Sequence, residues 1–229
     1  MERKDLIDKN VAIFKAQGKA LNEVASPSCR SLVVANPANT NCLILSKNAP
    51  KIPNANFSAM TRLDHDRALN QIAKKTGTKV EDVKDVIIWG NHSSTQYPDA
   101  RFATVNGIKL EYKEEEEFYK GEFITTVQKR GAAILEARGF TSSMSAANAA
   151  SNHLRDWYIG SENQLSMAVI SDGSHYDIED NLCYSFPVKC TGEWNVEIVD
   201  GLEIDEFSRE KMLETQKELT EERDLGEEQ

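Results

Sequence analysis

Three short segments hold the residues whose types and spacing could do chemistry. Asp64 and Arg67 stand three apart in Leu63-Asp64-His65-Asp66-Arg67, and residues at that spacing share one face of a helix. His92 lies in the polar turn 90–98 directly after the apolar run Val86–Trp89. The third segment, Asn36-Pro37-Ala38-Asn39, follows the apolar run Ser31–Ala35. In α/β proteins the reactive groups gather at the carboxyl ends of strands. Oxidation of a 2-hydroxy acid would use such a set. An imidazole takes the hydroxyl proton as hydride leaves carbon, and a carboxylate holds the ring's tautomer and stabilises its cation. A guanidinium fork clamps the substrate carboxylate. His92, Asp64 and Arg67 can fill these roles in that order. On spacing alone the plainer reading is stronger: a structural histidine, and a surface ion pair worth under ~1 kcal/mol. A metal site built from Asp64, His65, Asp66 and His92 is disfavoured, because Arg67 beside it would repel a cation.

The elements that must position these residues read as follows. Val11, Phe14 and Leu21 extend a stripe begun by Ile7, which predicts an amphipathic helix over 5–23. Residues 31–35, rich in β-branched side chains, read as a strand buried on both faces, followed by a turn and a helix over 40–47. That strand–turn–helix order suits a parallel sheet. Residues 48–57, with two prolines and several asparagines, read as a linker next to a domain boundary. A helix over 60–76 stops at Gly77. A short acidic helix over 80–85 and a strand over 86–89 follow. The four glutamates 114–117 read as a solvated loop or helix start, leading into one long helix over 118–138. After a helix over 143–158, the runs 165–171, 182–188 and 194–199 predict an antiparallel meander. The charged tail from Asp205 reads as a fraying helix.

Bulk properties exclude some classes. The chain has 229 residues with 27 Lys and Arg against 37 Asp and Glu, a formal charge of -10. That balance disfavours non-specific binding to nucleic acid or to anionic membranes. No apolar stretch nears the roughly 20 residues of a spanning helix, and the charged start Met1-Glu2-Arg3-Lys4-Asp5 lacks the pattern of a secretory signal. Cys29, Cys42, Cys183 and Cys190 are widely spaced and read as reduced, mostly buried thiols of a cytoplasmic protein, with no metal site. His65, His153 and His175 read as structural or exposed.

The segments NPANTNCL, TRLDHDRA, VIIWGNHSSTQYPD, KGEFITTVQKRGAA and EFSREKM together resemble the cytosolic-type malate dehydrogenases, members of the lactate/malate dehydrogenase superfamily. The resemblance runs collinearly from residue 1 to about residue 223. It implies NAD-dependent interconversion of malate and oxaloacetate by a homodimeric cytoplasmic enzyme. In the fold it implies, of α/β class as a whole, a remnant of a Rossmann-type parallel sheet (residues 1–57) precedes an α+β substrate and dimerisation domain (residues 58–229). By the resemblance His92 is the proton acceptor, Asp64 its carboxylate partner and Arg67 the clamp on the C1 carboxylate. Arg3 matches an arginine of the mobile active-site loop that meets the distal carboxylate, and Asn36 the asparagine that bonds the substrate oxygen beside the nicotinamide. Asn10, Gln17 and the backbone of Val34 and Ala35 match cofactor-contacting positions, and Ser145 falls in a segment lining the site.

Two departures from the family pattern stand out. The sequence has no GxGxxG after a strand and no acidic residue placed for a ribose, and the first arginine of the mobile loop would precede Met1. The segment between Asp99 and Lys120 is also shorter than the pattern, and the C-terminus stops early. These departures lead us to expect an impaired enzyme. The alternative is a chain that serves only as a dimerising partner.

Overall fold

The computed structural model describes residues 3–227, with side chains from Lys9 onward. Helix α1 (Arg3–Val24) is followed by β1 (Ser31–Val33), α2 (Ala38–Lys47), β2 (Phe57–Ala59) and α3 (Arg62–Thr76). Next come β3 (Val83–Lys84), β4 (Ile87–Trp89), β5 (Tyr97–Asp99), β6 (Thr104–Val105) and β7 (Ile108–Lys109). Three helices follow: α4 (Glu116–Lys120), α5 (Glu122–Arg138) and α6 (Ser143–Ile159). Strands β8 (Leu165–Ile170), β9 (Cys183–Gly192) and β10 (Asn195–Ile198) then lead to α7 (Glu206–Glu227).

The main sheet has the order β1-β2-β8-β9-β10. β1 and β2 run parallel, with Ser31 opposite Phe57, as the strand–turn–helix pattern requires. β8, β9 and β10 form the expected antiparallel meander, and β8 joins it to β2. Two apolar clusters lie along this sheet. One gathers Val11, Phe14, Leu43, Leu45, Phe57 and Ala59 with Ala168 and Cys183. The other gathers the side chains of α3, β4, β5, α5 and β9 around Trp89, Trp157, Tyr184 and Phe186. α3 ends as its sequence predicts: Gly77 takes the left-handed cap at φ 69° and its N–H bonds the carbonyl of Ala73.

Four expectations need correction. β1 is not buried on both faces; it is an edge strand with only Val33 buried, because burial depends on which strands flank it and not on its composition. Residues 80–85 form one 3₁₀ turn, 80–82, that passes straight into β3. The long helix breaks at Gly121 into α4 and α5, although its apolar pattern continues across the break. The tail does not fray. α7 buries Met212, Thr215, Gln216, Leu219 and Glu222 at helical spacing against the rest of the chain. The two apolar residues among them contribute about 1.5–3 kcal/mol each. Cys42, Cys183 and Cys190 are buried free thiols, and Cys29 is half-buried.

Candidate active site

Three chain segments converge on His92. β4 ends at Trp89, and Gly90 then exchanges two backbone bonds with Ser185 of β9, at 3.1 and 3.0 Å. Gly90 has a φ of 87°, and a Cβ there would lie 2.0 Å from Cγ2 of Thr215 on α7. Only glycine allows both the turn and the close approach. The turn carries His92 over the first turns of α3. It is pinned by Asn39 near the start of α2, whose Oδ1 accepts the His92 N–H at 3.0 Å. The Asn39 amide donates to the carbonyls of Gly90 and Cys183 at 3.1 and 2.8 Å.

Asp64 is the hub. One carboxylate oxygen accepts a hydrogen bond from Nδ1 of His92, and the other accepts Nη1 of Arg67 at 3.1 Å. The Gln96 amide, which donates to the carbonyl of Ser93 at 3.0 Å, also favours the charged form of Asp64. The carboxylate is 1% exposed, against 13% for Arg67 and 19% for His92. Burial pushes the Asp64 pKa up, but His92 and Arg67 beside it outweigh that and hold the carboxyl below its usual range. The Asp64 charge lifts the His92 pKa above 6.5 against the opposing pull of burial and of Arg67. A carboxylate can only accept, so the neutral ring carries its proton on Nδ1 and presents Nε2 as a base. Nε2 makes no hydrogen bond among the described residues. The set can therefore take a proton at Nε2 beside a fixed cation that suits an organic anion.

Arg67 also reaches Ser142 Oγ at 3.4 Å and lines a cavity of about 510 Å³ with Leu63, Asn70, Arg130, Met144 and Ser145. The residues lining that cavity include Ser145 and not His92. Gln17, Val34 and Ala35 line a separate groove of about 720 Å³ between α1 and β1. Asn10 is near it, accepting a long contact from Asn41 at 3.4 Å, and the carbonyl of Ala35 accepts Asn41 Nδ2 at 3.0 Å. Asn36 is exposed three residues before Asn39. The side chain of Arg3 lies outside the described residues.

The structure adds three residues to those expected from the sequence: Asn39 as the pin of the His92 backbone, and Gln96 and Ser142 as contacts of Asp64 and Arg67. Gln96 lies in the same turn as His92, which could have marked it. The other histidines are placed differently. His65 Nδ1 is 3.0 Å from Ser166 Oγ, and that hydroxyl accepts the Ile88 N–H at 2.9 Å. His153 is fully buried against Trp157, and the half-buried His175 pairs with Asp200 at 2.9 Å.

Comparison with known proteins gives the same picture over the whole chain. The NAD binding domain model of lactate/malate dehydrogenase matches residues 1–58. The model of the alpha/beta C-terminal domain of lactate/malate dehydrogenase matches residues 61–229. The cytoplasmic malate dehydrogenase of Zea mays is 56% identical over 234 residues, covering 99% of this chain and 70% of the relative. That of Rattus norvegicus is 55% identical over 237 residues, with the same coverage of 99% and 70%. Among solved structures, malate dehydrogenase from Naegleria fowleri superposes with a TM-score of 0.96 at 48% identity, over 100% of this chain and 70% of that one. Lactate dehydrogenase from Trichomonas vaginalis, in complex with NADH and oxamate, gives 0.94 at 35% identity over 99% and 70%.

Proposed function

Because the chain belongs to the lactate/malate dehydrogenase family, we propose that it interconverts (S)-malate and oxaloacetate with NAD. The observation that carries this reading is the buried carboxylate of Asp64 touching both the His92 ring and the Arg67 guanidinium.

In malate oxidation Nε2 of His92 takes the C2 hydroxyl proton, and Asp64 stabilises the imidazolium that results. Arg67 spends one N–H on Asp64 and turns the rest of its fork to the C1 carboxylate, fixing where the hydroxyl points. Asn36 bonds the substrate oxygen, and Arg3 meets the distal carboxylate. When NAD is bound it supplies the hydride acceptor. The α1–β1 groove fits it: exposed Val34 offers an apolar face and Gln17 an amide, at the carboxyl end of a parallel strand. Asn10, Gln17, Val34, Ala35 and Asn36 would hold it there.

We read residues 1–57 as the cofactor side and 58–229 as the substrate side; one apolar cluster draws its buried residues from 11–59 except for Ala168 and Cys183, and the other draws all of its own from beyond residue 67, which supports that division. The relatives named cytoplasmic support a cytoplasmic location, and no helix among the described residues is long and apolar enough to cross a membrane. The proposal includes a homodimer, supported by Leu135, Phe140, Leu154, Tyr158 and Ile159, which α5, α6 and the link between them leave exposed. The same side chains favour the rival reading, a pairing module without turnover. The decisive assay is oxaloacetate-dependent oxidation of NADH by the purified chain, with sedimentation run beside it. Turnover that disappears in His92→Asn is the expected result. Turnover undiminished in that variant, or none in the parent, overturns the enzymatic reading.

A further inference from the structure

We propose that Glu218, on the C-terminal helix α7, is a positioning residue for His92. Oε2 of Glu218 accepts Asn91 Nδ2 at 3.0 Å, Thr95 Oγ1 at 2.5 Å and the Ser93 hydroxyl. Asn91 and Ser93 flank His92 in the chain, so one carboxylate oxygen ties down the residue on each side of the imidazole. Its neighbours on α7 extend the grip. Thr215 Oγ1 accepts the Asn91 backbone N–H at 2.8 Å. Glu222 takes the Thr40 hydroxyl and a longer contact from Asn91 Nδ2 at 3.4 Å. Thr40 adjoins Asn39, which holds the His92 N–H. Residues 215, 218 and 222 share one helix face, and that face clamps both the histidine turn and the start of α2. Placement to within about 1 Å decides rates by about 10²-fold in proton and hydride transfer sites.

The inference rests on His92 as proton acceptor, and its test has a readout that needs no turnover. Glu218→Ala, Glu218→Gln and His92→Asn are compared with the parent by kcat and KM and by NMR titration of the imidazole rings, His92→Asn assigning the His92 signal. The charged groups facing the ring are Asp64 and Arg67 of α3, with Glu218 and Glu222 of α7 behind its turn. Glu218→Ala is expected to lower kcat about 10- to 100-fold with KM within about twofold. It should also bring the His92 titration down towards the ordinary value of about 6.5, as the ring drifts from Asp64. Glu218→Gln keeps an acceptor oxygen in place and loses the charge, so it should restore most of both. If Gln behaves like Ala, the effect is one of charge and positioning is refuted. An unchanged His92 titration, with or without a lower melting temperature, refutes it too. Should Glu218→Ala fail to fold, Ser93→Ala and Thr95→Val remove two of the three donors and must give the same changes on a smaller scale. A loosened His92 in a chain without turnover would sink the enzymatic reading and leave the positioning intact.

Discussion

Helix α3 takes part in two sets of the same three residue types. On one side Asp64 divides its oxygens between His92 and Arg67. On the other, Arg62 reaches Asp156 at 2.5 Å and Asp66 at 2.9 Å, Arg155 covers the second oxygen of Asp156 at 2.7 Å, and His65 and His153 lie sealed beside them. In the second set arginines take the carboxylate, and neither ring touches it. Burial, aided by the Arg62 charge, pushes both histidines down to about 3, so they are neutral at any physiological pH. In the first set the ring itself holds the carboxylate, which raises its proton affinity. Composition is therefore no guide to acid–base competence. The deciding features are which cation the carboxylate embraces and whether the ring keeps a nitrogen facing outward.

Four experiments break or sharpen that contrast. Asp64→Asn should lower kcat about 10⁴-fold, the scale known for removing the charge behind a catalytic histidine, while Asp156→Asn in the other set leaves kcat per folded molecule within about twofold. Comparable losses in the two variants would erase the distinction. Arg62→Leu leaves the charge of Asp156 short of a partner and should destabilise the fold by about 3–5 kcal/mol in denaturant titrations, with kcat per folded molecule unchanged. Arg67→Lys keeps a cation and loses the fork. It should lower kcat/KM about 10- to 100-fold, equivalent to about 1.5–3 kcal/mol, mostly through KM for the dicarboxylate.

The smallest effect is on pH dependence. Malate oxidation needs neutral His92, so its kcat/KM should rise as pH passes a midpoint above 6.5, and oxaloacetate reduction should fall through the same midpoint. A midpoint at or below 6.5 would contradict the Asp64 contact. Stability follows from the same directions. The contribution of His92, whose folded value is raised, is complete below about 6.5 and fades as pH climbs through that folded value. The contribution of Asp64, whose folded value is depressed, is present above 3.8 and fades as pH falls through its folded value.

Much of this site was legible in the sequence. The family resemblance of the motifs around Asp64, Arg67 and His92 marks the triad, for which spacing alone favours the plainer reading. The apolar runs mark β1, β4 and the meander of β8, β9 and β10, while β2 (Phe57–Ala59) begins at the end of a stretch that reads as a linker. What could not be read has physical causes. Asn39 acts on residues 51 and 144 positions away, and no local pattern encodes such a reach. The buried face of α7 carries Thr215, Gln216 and Glu222, so hydropathy makes a packed helix look like a solvated one. β1 has the composition of a central strand and the position of an edge strand, which depends on its neighbours. At Gly121 the apolar stripe of α4 and α5 runs through the break, and only the backbone stops.

The hydroxyl of Ser166 gives the two sides of α3 a shared fastening. Its oxygen receives the Ile88 amide and stands 3.0 Å from Nδ1 of His65, and a hydroxyl with one hydrogen and two lone pairs can meet both. A positive charge arriving on the buried His65 ring in strong acid would stand one hydroxyl away from the amide of Ile88, in the strand that delivers His92 four residues later. Acid would thus loosen the working histidine by way of an idle one, and amide exchange at Ile88 would register it before global unfolding.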